Sequence, residues 1–122
     1  MSKLILLIED DPFLIDIYTK KIKNSGFEVQ VAENGSTALK ILKEKKPDLI
    51  LLDIVLPEME GWEVLRRIKE DKATAALKVV VLSNLGQRGE VEKGLKLGAM
   101  KYLIKAQHTP SQVVTEIKKI LD

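Results

Sequence analysis

The chain has no cysteine. Disulfides, thiolate metal sites and cysteine nucleophiles are therefore excluded, and the lack accords with a cytoplasmic setting. Its one histidine, His108, lies in a polar loop and reads as a solvated side chain rather than a ligand or phosphocarrier. No apolar stretch approaches the roughly 18 residues that a membrane-spanning helix needs. The first apolar run is short and ends in Glu9, Asp10 and Asp11, which is not the layout of a signal peptide. Charge of one sign is also scarce. The formal net charge is +2, too small to imply direct nucleic-acid binding. The lysine-rich stretches 20–23 and 43–46 read as solvated helix ends, where cations complement the helix dipole. No glycine-rich phosphate loop follows the first apolar run, which argues against nucleotide or flavin binding. Repeats and linkers are missing too, so a single domain over 1–122 is expected.

What the chain does have is apolar runs that end in polar groups. With 122 residues, 45% of them hydrophobic and 31% charged, it can bury a real core. Leu4-Ile5-Leu6-Leu7-Ile8 is followed by Glu9 and Asp10. Leu49-Ile50-Leu51-Leu52 is followed by Asp53, Val79-Val80-Val81-Leu82 by Ser83, and Lys101-Tyr102-Leu103-Ile104 by Lys105. Continuous apolar runs of this length predict strands buried on both faces. The pattern gives strands at 3–8, 28–32, 48–52, 78–82 and 101–104. Helices are expected at 12–25, 36–45, 62–70, 88–97 and 110–121. Asp11 serves as N-cap before Pro12, and Gly26 and Gly98 stop their helices. Asn34-Gly35 reads as a turn, and Thr109 with Gln112 has capping-box spacing. Trp62 is expected to be partly exposed. Alternating strands and helices predict a parallel α/β sheet with helices on both faces, in the flavodoxin-like order 2-1-3-4-5.

In that order the first and third strands flank the switch point, where ligands of such sheets bind. Glu9, Asp10 and Asp53 then share one crevice. Carboxylates that close resist ionising together unless a cation neutralises them. An all-oxygen donor set points to a hard ion, most simply Mg²⁺.

Acid pair, Asp53, Ser83 and Lys105, each at a strand's carboxyl end, together with the loop Asp53-Ile54-Val55-Leu56-Pro57-Glu58-Met59-Glu60-Gly61, resemble a response-regulator receiver domain of the CheY-like kind. The resemblance runs over essentially the whole chain. It implies a two-component signalling role, as a stand-alone regulator or an excised receiver. A phosphoryl group would pass from a phosphohistidine of a partner histidine kinase or phosphotransfer protein to Asp53, with Mg²⁺. By the same resemblance Asp10, Asp53 and the Val55 backbone carbonyl bind the ion, and Glu9 does so directly or through water. Ser83 hydrogen-bonds the phosphoryl group, Lys105 ion-pairs with it, and Tyr102 is the switch aromatic that turns inward when Ser83 moves. The implied output surface is the fourth helix, fifth strand and fifth helix. The implied catalysis is confined to the chain's own phosphorylation and the slow hydrolysis of its aspartyl phosphate.

Four positions depart from the family's pattern. Ala106 stands where a cis proline usually follows the lysine. A cis bond before a non-proline residue costs about 3–4 kcal/mol, so a trans Lys105–Ala106 peptide and a rearranged loop are expected. Asn84 replaces a very small residue. Val55 and Leu85 are apolar where polar groups often orient a hydrolytic water, which predicts a long-lived phosphoryl state. Gly86, Gly89 and Gly94 make the fourth helix marginal, since each interior glycine costs about 1 kcal/mol relative to alanine. Two other readings stay open. A haloacid-dehalogenase-like phosphatase would also use an Asp nucleophile, but it wants a second Asp where Val55 stands. A phosphorylation-independent interaction module on the same fold is the main alternative.

Overall fold

Four apolar residues in a row cannot divide themselves between core and water, so a strand made of them needs cover on both faces. Leu49, Ile50, Leu51 and Leu52 have that cover: in the computed structural model, which describes residues 2–122, none has measurable exposure. They form β3 (Leu49–Leu52), at the centre of a sheet with β1 (Leu4–Ile8), β2 (Glu28–Ala32), β4 (Val79–Ser83) and β5 (Lys101–Ile104). The order is β2-β1-β3-β4-β5, and every pairing is parallel. This is the expected order. The helices are α1 (Pro12–Asn24), α2 (Gly35–Glu44), α3 (Gly61–Glu70), α4 (Arg88–Lys96) and α5 (Pro110–Leu121).

Alternate residues of each strand feed two separate apolar layers. Leu6, Ile8, Ile50, Leu52, Val79 and Val81 pack with Leu42 of α2 and Val64, Leu65 and Ile68 of α3. Ile5, Leu7, Leu49, Leu51, Val80 and Leu82 pack with Tyr18 and Ile22 of α1 and Val113 and Ile117 of α5. Fully burying each aliphatic side chain is worth roughly 1.5–3 kcal/mol, so these layers carry the fold. Truncating one of them, as in Leu51→Ala, costs about 2–5 kcal/mol. Among the described residues no helix is long and apolar enough to cross a membrane.

Element ends follow local chemistry. The Asp11 carboxylate accepts from the Phe13 and Leu14 amides at 2.9 and 3.3 Å, so it caps α1 as its sequence position suggested. Gly26 takes φ +93° just beyond α1, a conformation that favours glycine. The Thr109–Gln112 capping box opens α5, with bonds of 2.9 and 3.2 Å. Several boundaries differ from expectation. The Asp48 carboxylate accepts from the Leu4 amide at 2.7 Å, which keeps Asp48 outside β3. Asn34 is an N-cap, bonded to the Thr37 amide at 2.8 Å, and α2 begins at Gly35. Gly35 is needed for close packing: a Cβ there would lie 2.7 Å from Val64 Cγ2 of α3. β4 starts and ends one residue later than expected and includes Ser83. A 3₁₀ turn over Lys105–Gln107, which no sequence signal announced, joins β5 to α5.

Candidate functional site

Parallel register places the acids. Ile8 of β1 pairs with Leu52 of β3, so the residues that follow, Glu9 and Asp53, emerge side by side. The Asp53 amide donates to the Ile8 carbonyl at 3.0 Å, extending the ladder by one bond. Carboxylate oxygens of Glu9, Asp10 and Asp53 all lie within 4.8 Å of one another. Glu9 and Asp53 are buried, whereas Asp10 is exposed. The three acids predicted to converge therefore do so.

Lys105 reaches across from the end of β5. Its Nζ donates to Glu9 Oε1 at 2.6 Å and to Asp53 Oδ2 at 2.8 Å. Burial opposes its charge, but the hydrogen bonds to Asp53 and Glu9 outweigh that and raise the Lys105 pKa. Burial also pushes the Glu9 carboxyl up, with Asp53's charge adding to it and Lys105 opposing. The second Glu9 oxygen accepts from the amides of Asp10 and Asp11 at 3.1 and 3.2 Å. Asp53 Oδ1 accepts from the Val55 amide at 3.2 Å. Three carboxylates against one ammonium leave a formal charge of −2 on the cluster, which suits one divalent cation.

These groups line an open cleft of about 370 Å³, together with Asp11, Leu14, Val55 and Asn84. Two residues expected at the cleft do not line it. Ser83 is fully buried, and its hydroxyl accepts from the Leu85 amide at 3.3 Å. Leu85 packs against the α2–α3 layer rather than facing the cleft. Asn84 takes the lining position between them. The loop from Asp53 returns tightly to α3: the Gly61 amide donates to the Ile54 carbonyl at 2.8 Å. A Cβ on Gly61 would strike the Asp53 carbonyl and Ile54 Cα, so this loop admits only glycine there.

Tyr102 is half-buried and its hydroxyl donates to the Leu85 carbonyl at 2.5 Å. Burial pushes its phenol pKa up. The ring lies 6.4 Å from that of Trp62, itself half-buried, and Lys93 sits 4.6 Å over the Trp62 ring. The loop after β5 follows a trans path, since no cis peptide occurs among the described residues. His108 is half-buried rather than solvated, and its Nδ1 lies 3.1 Å from the Ile104 carbonyl oxygen. Tyr18, which the sequence pattern marked only as part of a helix, is buried beneath the site. Burial raises its pKa, with the charges of Lys105, Glu9 and Asp53 acting on it as well. Its place on the inner face of α1 was readable, but its nearness to the cluster depends on packing.

Fold and site geometry thus define a parallel α/β receiver-like domain with an acidic cleft at its switch point. Residues 5–118 match the family described as the response regulator receiver domain, and the chain belongs to that family. Among curated relatives, it is 39% identical over 102 residues to the chemotaxis protein CheY of Listeria monocytogenes, covering 83% of this chain and 84% of that protein. It is 32% identical over 121 residues to the phosphate regulon transcriptional regulatory protein PhoB of Pseudomonas aeruginosa, covering 99% of this chain but 52% of that protein. The chain thus spans about half the length of PhoB. The solved structure of the phosphorylated cyanobacterial phytochrome response regulator RcpA superposes with a TM-score of 0.86 at 32% identity, covering 98% of this chain and 91% of that one.

Proposed function

We propose that the chain is a phosphoacceptor switch of two-component signalling, in which Asp53 receives a phosphoryl group from a phosphohistidine of a histidine kinase or phosphotransfer protein. The observation that carries this reading is Lys105 held between Glu9 and Asp53 beside the exposed Asp10, in a cleft open to an incoming group. An Asp53 carboxylate oxygen bonds to phosphorus as the bond from phosphorus to the donor imidazole nitrogen breaks, the electron pair staying on that nitrogen. Little covalent chemistry is asked of the protein, and positioning with charge compensation does most of the work. Lys105 compensates the growing acyl-phosphate charge on one side. Asp10, Asp53, the Val55 carbonyl and Glu9 would hold Mg²⁺, which when bound supplies charge neutralisation at the phosphoryl oxygens.

The output runs through Ser83, Tyr102 and the α4–β5–α5 face. Support comes from the Tyr102 bond to the Leu85 carbonyl, which ties β5 to the loop entering α4. RcpA, a relative phosphorylated in its solved form, also favours the chemistry. The rival reading, an interaction module that works without phosphorylation, draws on Ser83, which is fully buried, and on Asn84, which stands in the cleft lining. The Ser83 hydroxyl accepts from the Leu85 amide and keeps its own hydrogen to donate. Intact-mass measurement after exposure to a small phosphodonor with Mg²⁺ separates the two. One added phosphoryl group that Asp53→Asn abolishes supports the switch. No added mass, or unchanged labelling of the mutant, overturns it.

A further inference from the structure

Lys105 has a long, flexible side chain, so the placement of its ammonium within 3 Å of two carboxylates depends on where its backbone is held. The turn that follows offers little grip. Ala106 and Gln107 are exposed, and the proline that usually stiffens this point in the family is replaced by Ala106. β5 is also an edge strand, paired with β4 alone. Only His108 among residues 106–109 bonds back to the strand through its side chain, within the described residues. Its ring meets the Ile104 carbonyl at 3.1 Å, and its amide donates to the Lys105 carbonyl at 3.5 Å. A carbonyl oxygen carries no hydrogen, so Nδ1 is the donor, which fixes the proton on that nitrogen. The residue sits in extended conformation between the 3₁₀ turn and the capped start of α5. The side chain thereby closes the loop onto Ile104, and the backbone amide closes it onto Lys105 itself.

We infer that His108 is a positioning residue for Lys105, a side-chain latch that stands in for the missing proline. The kinetic part of this inference rests on the phosphoacceptor reading of Asp53, and its structural part does not. A misplacement of about 1 Å at a reacting group can cost about 100-fold in rate. His108 acts through one intervening residue, so a loss of about tenfold is expected on removing it.

The experiment compares wild type with His108→Ala, His108→Asn and His108→Gln, all checked for the same thermal midpoint. Asn carries its amide nitrogen at the position of Nδ1, and Gln carries its own at that of Nε2. Two readouts are taken: the Asp53 phosphorylation rate with a small phosphodonor and Mg²⁺, and the hydrogen exchange of the Lys105 ammonium by NMR without donor. Slower phosphorylation and faster exchange in Ala and Gln, both restored by Asn, support the latch. Wild-type values in Ala, or Asn and Gln behaving alike, overturn it. If wild type takes no phosphoryl group, the functional reading falls, and the exchange data alone decide the latch.

Discussion

The ring of Tyr102 lies on the bare α-carbon of Gly94. A Cβ built there would stand 2.7 Å from Tyr102 Cδ2 and 3.6 Å from Cζ3 of Trp62. Glycine in the middle of α4, which looked in the sequence like a simple weakness of the helix, is therefore a seat for the aromatic of β5. With the ring seated, its hydroxyl reaches Leu85.

Gly94→Ala sets two effects against each other. Helix propensity favours alanine by about 1 kcal/mol. Overpacking against the ring costs about 1–3 kcal/mol, and the backbone of α4 and the Tyr102 ring must shift to relieve it. The expected outcome is a net loss of stability, a changed Trp62 fluorescence and loss of the Tyr102–Leu85 bond. In a Tyr102→Ala background the same substitution should stabilise, because only the propensity effect survives. Denaturant melts of the four proteins check this, and equal effects in both backgrounds would remove the steric account.

Lys105 is the only cation bonded to the Glu9–Asp53 pair among the described residues, and its side chain is 10% exposed. Lys105→Met keeps the apolar stem and removes the charge. Glu9 and Asp53 are then left facing each other, and removing one partner of a buried pair costs about 3 kcal/mol. Added Mg²⁺ should recover more stability in the mutant than in wild type, because the uncompensated carboxylates gain most from it. Thermal melts with and without the ion measure this. Equal gains in the two proteins would mean that the ion does not neutralise these acids.

The sheet order and the meeting of Glu9, Asp10 and Asp53 were legible because a strand made only of apolar residues leaves its polar groups at its ends. Lys105 was legible for the same reason. The trans path after it followed from the cost of a non-proline cis bond. What the sequence hid depends on geometry between elements. Ser83 stands at the carboxyl end of its strand as expected, but no local pattern signals that its hydroxyl accepts from the Leu85 amide. Leu85 was expected at the cleft, but its side chain finds the α2–α3 layer. His108 looked solvated because nothing local signals that its ring folds back four residues to Ile104.

Acid should weaken the surface ion pairs of Glu63 and Glu116. Arg66 and Arg67 hold the Glu63 carboxyl down to about 2, and Lys101 and Lys119 hold that of Glu116 down to about 2. Both values are depressed below the ordinary 4.5, so the unfolded state binds more protons between the two. Their stabilising contribution is full above pH 4.5 and is lost as pH falls toward 2. These pairs lie at the surface, so the contribution is small and shrinks with salt. Denaturant midpoints from pH 5 to pH 2 should fall less steeply in Glu63→Gln/Glu116→Gln than in wild type. Parallel slopes would show that the pairs do not form in solution.

The lifetime of an aspartyl phosphate depends on whether a water can line up opposite the leaving carboxylate. Val55 stands in the cleft wall, 57% exposed, with no side-chain group to orient that water. Asn84 lines the same cleft. Leu85, paired with Val55 in the sequence argument, does not reach the cleft, so the two positions should behave differently. Val55→Asn is expected to speed loss of the phosphoryl group about tenfold, the low end of what a positioned polar group contributes to proton transfer. Leu85→Asn should leave that rate nearly unchanged and instead lower stability by about 2 kcal/mol through lost packing. Decay of the phosphorylated mass after donor removal gives the first quantity, and denaturant melts give the second. Faster decay in the Leu85 variant but not in the Val55 variant would reverse the assignment of the cleft wall. Unchanged decay in both would shift control of the lifetime to Asn84 and the loop that carries Lys105.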